Sequence, residues 1–140
     1  MARVTCAGVP RTDPGELAAI FAGGVAGALA RWRLVVALPA SPGHWPWATF
    51  AANVAGAFAL GWFATRLQER LPLSAYGRPL LGTGLCGAFT TFSTMQLELL
   101  RMLDAGRAGL AVGYAAASLG AGFGAIVLAT ALVRRVRVVV

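Results

Sequence analysis

Apolar residues run through this chain in four long stretches, about 17–38, 45–67, 79–103 and 108–133, separated by short segments where polar and turn-forming residues gather. A helix needs roughly 20 apolar residues to cross a hydrocarbon core, so the pattern predicts four membrane-crossing helices. The separators, "PASPGHWP" (39–46), "QERLPLSAYGR" (68–78) and "DAGR" (104–107), carry the Pro, Gly and charges that stop helices. Their shortness makes successive helices antiparallel. Residues 1–15 hold Arg3, Arg11 and Asp13 with turn formers but no apolar run, so a flexible leader is expected there and not a signal peptide. The chain reads as one four-helix transmembrane domain over 1–140.

Composition agrees. Of 140 residues, 58% are hydrophobic and 12% charged, against about a quarter charged in an ordinary soluble domain. All twelve basic residues are arginine, giving a net charge of +7, but they lie between apolar runs and not in a stripe interleaved with aromatics, which argues against nucleic-acid binding. Arg3, Arg11, Arg66, Arg70, Arg78, Arg134, Arg135 and Arg137 fall on one side of the predicted spans, and Arg31, Arg33, Arg101 and Arg107 on the other, which favours cytoplasmic termini. Arg31 and Arg33 are expected at an interface in a structural role, the alternative being direct attraction of an ion. Cys6 and Cys86 have no CxxC spacing and no nearby histidine, so neither a metal site nor a disulfide is indicated.

Small and polar residues, not apolar ones, mark helix contacts and pathways inside a membrane. Gly23 and Gly27, Ala52 and Gly56, Ser118 and Gly122, and Gly120 and Gly124 form small-xxx-small pairs that read as close packing. Asn53 sits in mid-span, where its amide must satisfy two donors and an acceptor away from water. It either glues two helices or lines a polar track. Thr49 lies one turn before it, and Tyr114 and Ser118 are likewise four apart in the last span, so two helices each present a row of neutral hydrogen-bonding groups. Such donors suit an anion that must shed water without being trapped by a full charge.

In the third span, "GLCGAFTTFSTM" (84–95) packs Thr90, Thr91, Ser93 and Thr94 among glycines, which predicts an interrupted helix facing protein or a cavity. Its hydroxyls either donate outward or fold back onto the preceding turn. Phe92 is either packing or a ring whose positive edge faces an anion. The match of "GTGLCG" (82–87) to G-x-G-x-x-G lacks the strand and βαβ unit that a dinucleotide site requires. His44 has no partner at catalytic spacing, so no enzyme is expected.

Taken together, "GGVAGALARW" (23–32), "FAANVAGAFALG" (50–61) and above all "GTGLCGAFTTFSTM" (82–95) resemble the Fluc fluoride channels, also called CrcB proteins. The resemblance implies a four-helix subunit in the plasma membrane, assembled as an antiparallel, dual-topology dimer in the lipid bilayer. It further implies passive fluoride export through two pores, with a structural Na+ at the dimer interface. By position, Asn53 is similar to the family's pore asparagine and Phe92 to its first pore phenylalanine. Ser93 and Thr94 match hydroxyls beside the pore, and Tyr114 and Ser118 its polar track. Gly87 and Thr90 match the positions whose backbone carbonyls hold the sodium, while Arg31 and Glu98 match structural positions.

The chain departs from the family in two places. Met95 stands where the motif has its second pore phenylalanine, filling the volume without the ring's positive edge. Gly122 stands where a further polar group is expected. The eight-to-four arginine split favours one orientation, which raises pairing with an oppositely inserted paralogue beside a homodimer. The rival readings are a non-transporting scaffold and a proton-coupled exporter. The latter would want a mid-membrane carboxylate in the first span, whereas Glu16 lies at its mouth.

Overall fold

The computed structural model describes residues 13–41, 43–69 and 76–135, and every regular element among them is helical. In chain order these are α1 (Pro14–Ala37), α2 (Trp47–Glu69), a π-helical segment π1 (Pro79–Cys86), a single turn α3 (Gly87–Phe89), α4 (Phe92–Asp104) and α5 (Ala108–Arg135). α1, the Trp47–Leu67 part of α2, and α5 are long and apolar enough to cross a membrane, with mean hydropathies of 1.4, 1.2 and 2.0. The chain is thus a multi-pass membrane protein. Its third apolar stretch is broken, as the hydroxyl and glycine run predicts.

The helix starts correct two expectations. α1 begins at Pro14, so the leader expected over 1–15 ends earlier. Asp13 is extended and its carboxylate accepts from the Gly15 N–H at 2.9 Å, while Pro14 has no N–H left to satisfy. α2 begins at Trp47 and not at Trp45, because Pro46 serves as the cap, its carbonyl accepting from the Phe50 N–H at 3.0 Å. Residues 1–12, with Arg3, Cys6 and Arg11, lie outside the described residues, as do Arg70 and Arg137.

Small residues decide the packing. α1 lies along π1 and α3, α2 lies along α5, and α4 leans on α5. A Cβ at Gly23 would run into the Leu80 carbonyl and one at Gly27 into the Leu85 carbonyl, while Gly84 lies against the Ile20 carbonyl in return. At Gly56 a Cβ would meet the Thr90 methyl, and Ala52 is fully buried. The first two spans' small-residue pairs therefore pack within the chain. The glycines of the last span do not pack within this subunit: added Cβ atoms at Gly120, Gly122 and Gly124 meet nothing within 4 Å, although Ser118 is buried. The reason is register, since α5 meets α2 through Ile126, Ala129 and Thr130. Large apolar side chains such as Phe21, Val112 and Phe123 are exposed, the arrangement of a surface that meets lipid and not water.

Contacts at the two ends tie the elements together. Where α1 starts, the Tyr76 hydroxyl hydrogen-bonds Asp13, and that bond together with the carboxylate's charge pushes the phenol above its ordinary range. The tyrosine ring would lie 2.8 Å from a Cβ at Gly15, so a side chain there would displace it. Arg66 at the same end sits 5.6 Å from the centre of the Trp62 ring. At the opposite end, Arg107 Nη1 donates to the Gly43 carbonyl at 2.8 Å, pinning the α1–α2 loop to the α4–α5 turn.

Candidate functional site

The helix break is built from two extended residues, Thr90 (φ −80°, ψ 154°) and Thr91 (φ −149°, ψ 110°). A continued helix would send the Thr91 N–H to the Gly87 carbonyl. Instead it donates to Asn53 Oδ1 at 2.8 Å, and Asn53 Nδ2 donates back to the Thr91 carbonyl at 3.1 Å. The amide of α2 thus pairs with the broken backbone as a second peptide group would, which satisfies the oxygen and one of the two N–H donors of Asn53. The Thr91 hydroxyl caps α4 by accepting from the Thr94 N–H at 3.3 Å, and it donates to Thr94 Oγ1 at 2.8 Å. Upstream, Thr90 folds back, its N–H and hydroxyl both donating to the Cys86 carbonyl at 3.0 and 2.9 Å. Of the two readings of the hydroxyls, Thr90 follows the fold-back one and closes a half-helix, whereas Thr91 follows neither and opens the next half-helix as its cap.

This redirection frees two carbonyls. The i+4 donors that a continuous helix would supply to Gly87 and Thr90 are the N–H groups of Thr91 and Thr94, and those go to Asn53 and to the Thr91 hydroxyl. An open groove of about 320 Å³ runs beside the break, lined by Asn53, Gly56, Cys86, Gly87, Thr90 and Phe92. Gly87 and Ser93 are exposed on this subunit, and Phe92 is 67% exposed.

A second polar group lies one turn further along α2. Thr49 Oγ1 donates to Glu98 Oε1 at 2.6 Å and Tyr114 OH donates to Glu98 Oε2 at 3.0 Å, so α2, α4 and α5 meet at one carboxylate. Thr49 and Tyr114 are buried at 3% and 0% exposure. Ser118, a turn beyond Tyr114, is buried and turns toward the tyrosine hydroxyl without reaching hydrogen-bond geometry. Trp45 closes the cluster edge-on, its ring centre 5.3 Å from that of Tyr114 and 5.6 Å from that of Phe50.

The structure brings Asn53, Thr94 and Phe92 together around the break, and Glu98, Tyr114 and Ser118 into the cluster. Met95, three residues after Phe92 on α4, is buried against Met102, Ala111 and Tyr114, whereas Phe92 is exposed. Arg31 is half-buried on α1, away from both groups, and Gly122 is part-exposed. Sequence reasoning passed over the roles of two residues. Thr91 was one hydroxyl among four, although a threonine immediately ahead of an amphipathic run is a helix-start signal. Glu98 as the meeting point of three helices has no local signal, since its partner Thr49 is 49 residues away.

Comparison with known proteins gives a consistent result. Residues 18–130 match the family described as CrcB-like protein, Camphor Resistance (CrcB). A protein of Mycobacterium bovis named fluoride-specific ion channel FluC 1 is 58% identical over 130 residues, covering 93% of this chain and 98% of the relative. FluC 2 of Nocardia farcinica is 43% identical over 126 residues, 90% of each chain, and FluC of Chlorobaculum tepidum is 40% identical over 115 residues, 82% of this chain and 91% of its own. The matched region takes in the helix break, its asparagine clamp and the Glu98 cluster alike, and the chain belongs to the CrcB-like family.

Proposed function

We propose that this protein is a fluoride-selective channel, not an enzyme, through which fluoride leaves the cytoplasm passively across the plasma membrane, lowering its toxicity. The observation that carries the reading is the Asn53 clamp on the broken helix beside the Phe92 groove, one turn of α2 away from the buried hydroxyl cluster. A small, strongly hydrated anion gives up its water only where donors replace it. The proposed pathway uses Asn53, Phe92, Ser93, Thr94, Met95, Tyr114 and Ser118. Glu98 accepts hydrogen bonds from Thr49 and Tyr114, so those hydroxyls reach the anion by turning away from the carboxylate. Met95 supplies a polarizable wall in place of a second ring.

The finer architecture belongs to the same proposal. The half-helices of eight, three and thirteen residues together span about 30 Å or more, enough for a fourth crossing. The carbonyls of Gly87 and Thr90, having lost their helical donors, fit a hard monovalent cation such as Na+ that uses oxygen ligands. Bound there, the ion would hold the negative helix end in place. The functional unit is a dimer of oppositely inserted subunits in lipid, joined through surfaces left open here. The eight-to-four arginine split favours one orientation of this chain. The opposite subunit is therefore a paralogue in one version of the proposal and the chain itself in the other.

Reconstitution of the purified chain alone into fluoride-loaded liposomes, read with a fluoride electrode, tests this. Rapid efflux that chloride-loaded vesicles lack and Asn53→Ala abolishes supports a fluoride-conducting homodimer. Efflux only after co-expression with a paralogue supports the heterodimer, and none in either case refutes the channel reading.

A further inference from the structure

Resting on that reading of the Glu98 cluster, we propose that the pocket between the α1–α2 loop and α4 is one mouth of the pathway, and that Arg101 supplies the charge that lets an anion enter it. The pocket holds about 60 Å³ and is lined by Ser41, Gly43, His44, Pro46, Glu98 and Arg101. That is ample for a water or a small anion, since a cavity holds a water from roughly 10–15 Å³ upward.

Its floor is the problem that Arg101 solves. Glu98 lines the pocket and accepts from Thr49 and Tyr114, which do not line it, so an incoming anion meets the carboxylate before those two donors. Arg101 lies three residues on, on the same side of α4, and faces the same space. Its guanidinium offsets the floor charge, and the low-dielectric walls focus its field on the opening. The other charged and titratable groups toward this end are His44 on the rim, Asp104, Arg107, and Arg31 and Arg33 in the last turns of α1, of which His44 alone lines the pocket. Arg107 donates to the Gly43 carbonyl, which keeps the rim loop in place. Arg101 is the one arginine among the residues that line the pocket with Glu98.

The test is initial fluoride efflux from vesicles of neutral phosphatidylcholine at low and high concentrations of an impermeant salt, for the wild-type chain, Arg101→Gln, Arg101→Lys and Arg135→Gln. Any paralogue the wild type needs is held constant. Arg101→Gln is expected to lower efflux roughly three- to tenfold at low ionic strength, with the deficit shrinking as salt screens the bare carboxylate. Arg101→Lys keeps most of the rate, and Arg135→Gln, at the far end of α5, matches wild type. An Arg101→Gln rate equal to wild type at low salt overturns the proposal. So does a loss that neither salt nor lysine relieves, since that is a structural effect. Should Arg101→Gln fail to fold, wild-type efflux that does not vary with ionic strength overturns it as well. A wild-type protein that passes no fluoride overturns the channel reading itself, a separate and distinguishable failure.

Discussion

Asn53→Ala removes the two hydrogen bonds that hold the helix break open. In the wild type the Thr91 N–H and carbonyl are both paired to one side-chain amide, at 2.8 and 3.1 Å. Hydrogen bonds between membrane helices are worth about 0.6 kcal/mol each on average, but a buried polar group left without any partner costs about 1–3 kcal/mol. With two groups orphaned in a part-buried site, the loss comes to about 2–3 kcal/mol. The Thr91 N–H then has one protein acceptor within reach of a small rearrangement, the Gly87 carbonyl, and taking it would extend α3 toward α4 and close the break. If the whole cost falls on the conducting geometry, efflux drops roughly 30- to 150-fold. Liposome flux gives that number. Hydrogen exchange over residues 86–95 reports the cause, because the Thr91 amide must either exchange faster or gain a new partner. An Asn53→Ala protein with wild-type flux, wild-type exchange and an unchanged thermal midpoint would refute the clamp.

Three further outcomes follow from other contacts. Tyr114→Phe and Thr49→Val each deprive Glu98 of one donor and should lower flux about tenfold; in a double-mutant cycle they should couple by about 0.5–3 kcal/mol, because only the pair leaves the carboxylate with neither. Gly23→Ala, which drives a Cβ into the Leu80 carbonyl, should cost about 1–3 kcal/mol in detergent unfolding, whereas Gly24→Ala, with nothing within 4 Å, should stay within about 0.5 kcal/mol. Finally, Tyr76 has its phenol pushed up by Asp13, so their contact stabilises the fold fully below the ordinary tyrosine value of about 10 and is lost as pH climbs through the raised one. Thermal scans between about pH 9 and 11.5 should show wild type losing more stability than Tyr76→Phe, and parallel losses would contradict the contact.

Much of this was legible because membrane physics makes polar residues conspicuous. Asn53 and the hydroxyl run at 90–94 stand out against an apolar background, and their chemistry demands partners wherever they lie. What the pattern could not give was the identity of those partners. Asn53 and Thr91 are 38 residues apart, and Thr49 and Glu98 are 49 apart. Both pairings depend on how α2 is rotated against α4. The π-helical form of Pro79–Cys86 was likewise hidden. Nothing in "PLLGTGLC" demands it, and the widened turn lies where the backbones of α1 and π1 touch through Gly23, Gly27 and Gly84. The glycines of the last span leave their partner open for a related reason, since a small-residue stripe shows that something comes close but not whether that something is in the same chain.

The geometry also explains why so much of the site hangs on α2. Thr49 and Asn53 are successive turns of one helix, so the distance between the Glu98 cluster and the helix break is set by a rigid rise of about 6 Å and not by any loop. Ala48 and Ala52, at 4% and 0% exposure, and Gly56 against the Thr90 methyl let that helix lie close enough for short side chains to bridge. A larger residue at Ala52 would push α2 off both partners at once, lengthening the 2.6 Å Thr49–Glu98 bond and the Asn53 clamp together. The two polar groups are therefore one mechanical unit. A perturbation at either should be felt at the other through the helix, with no contact needed between Glu98 and Thr91.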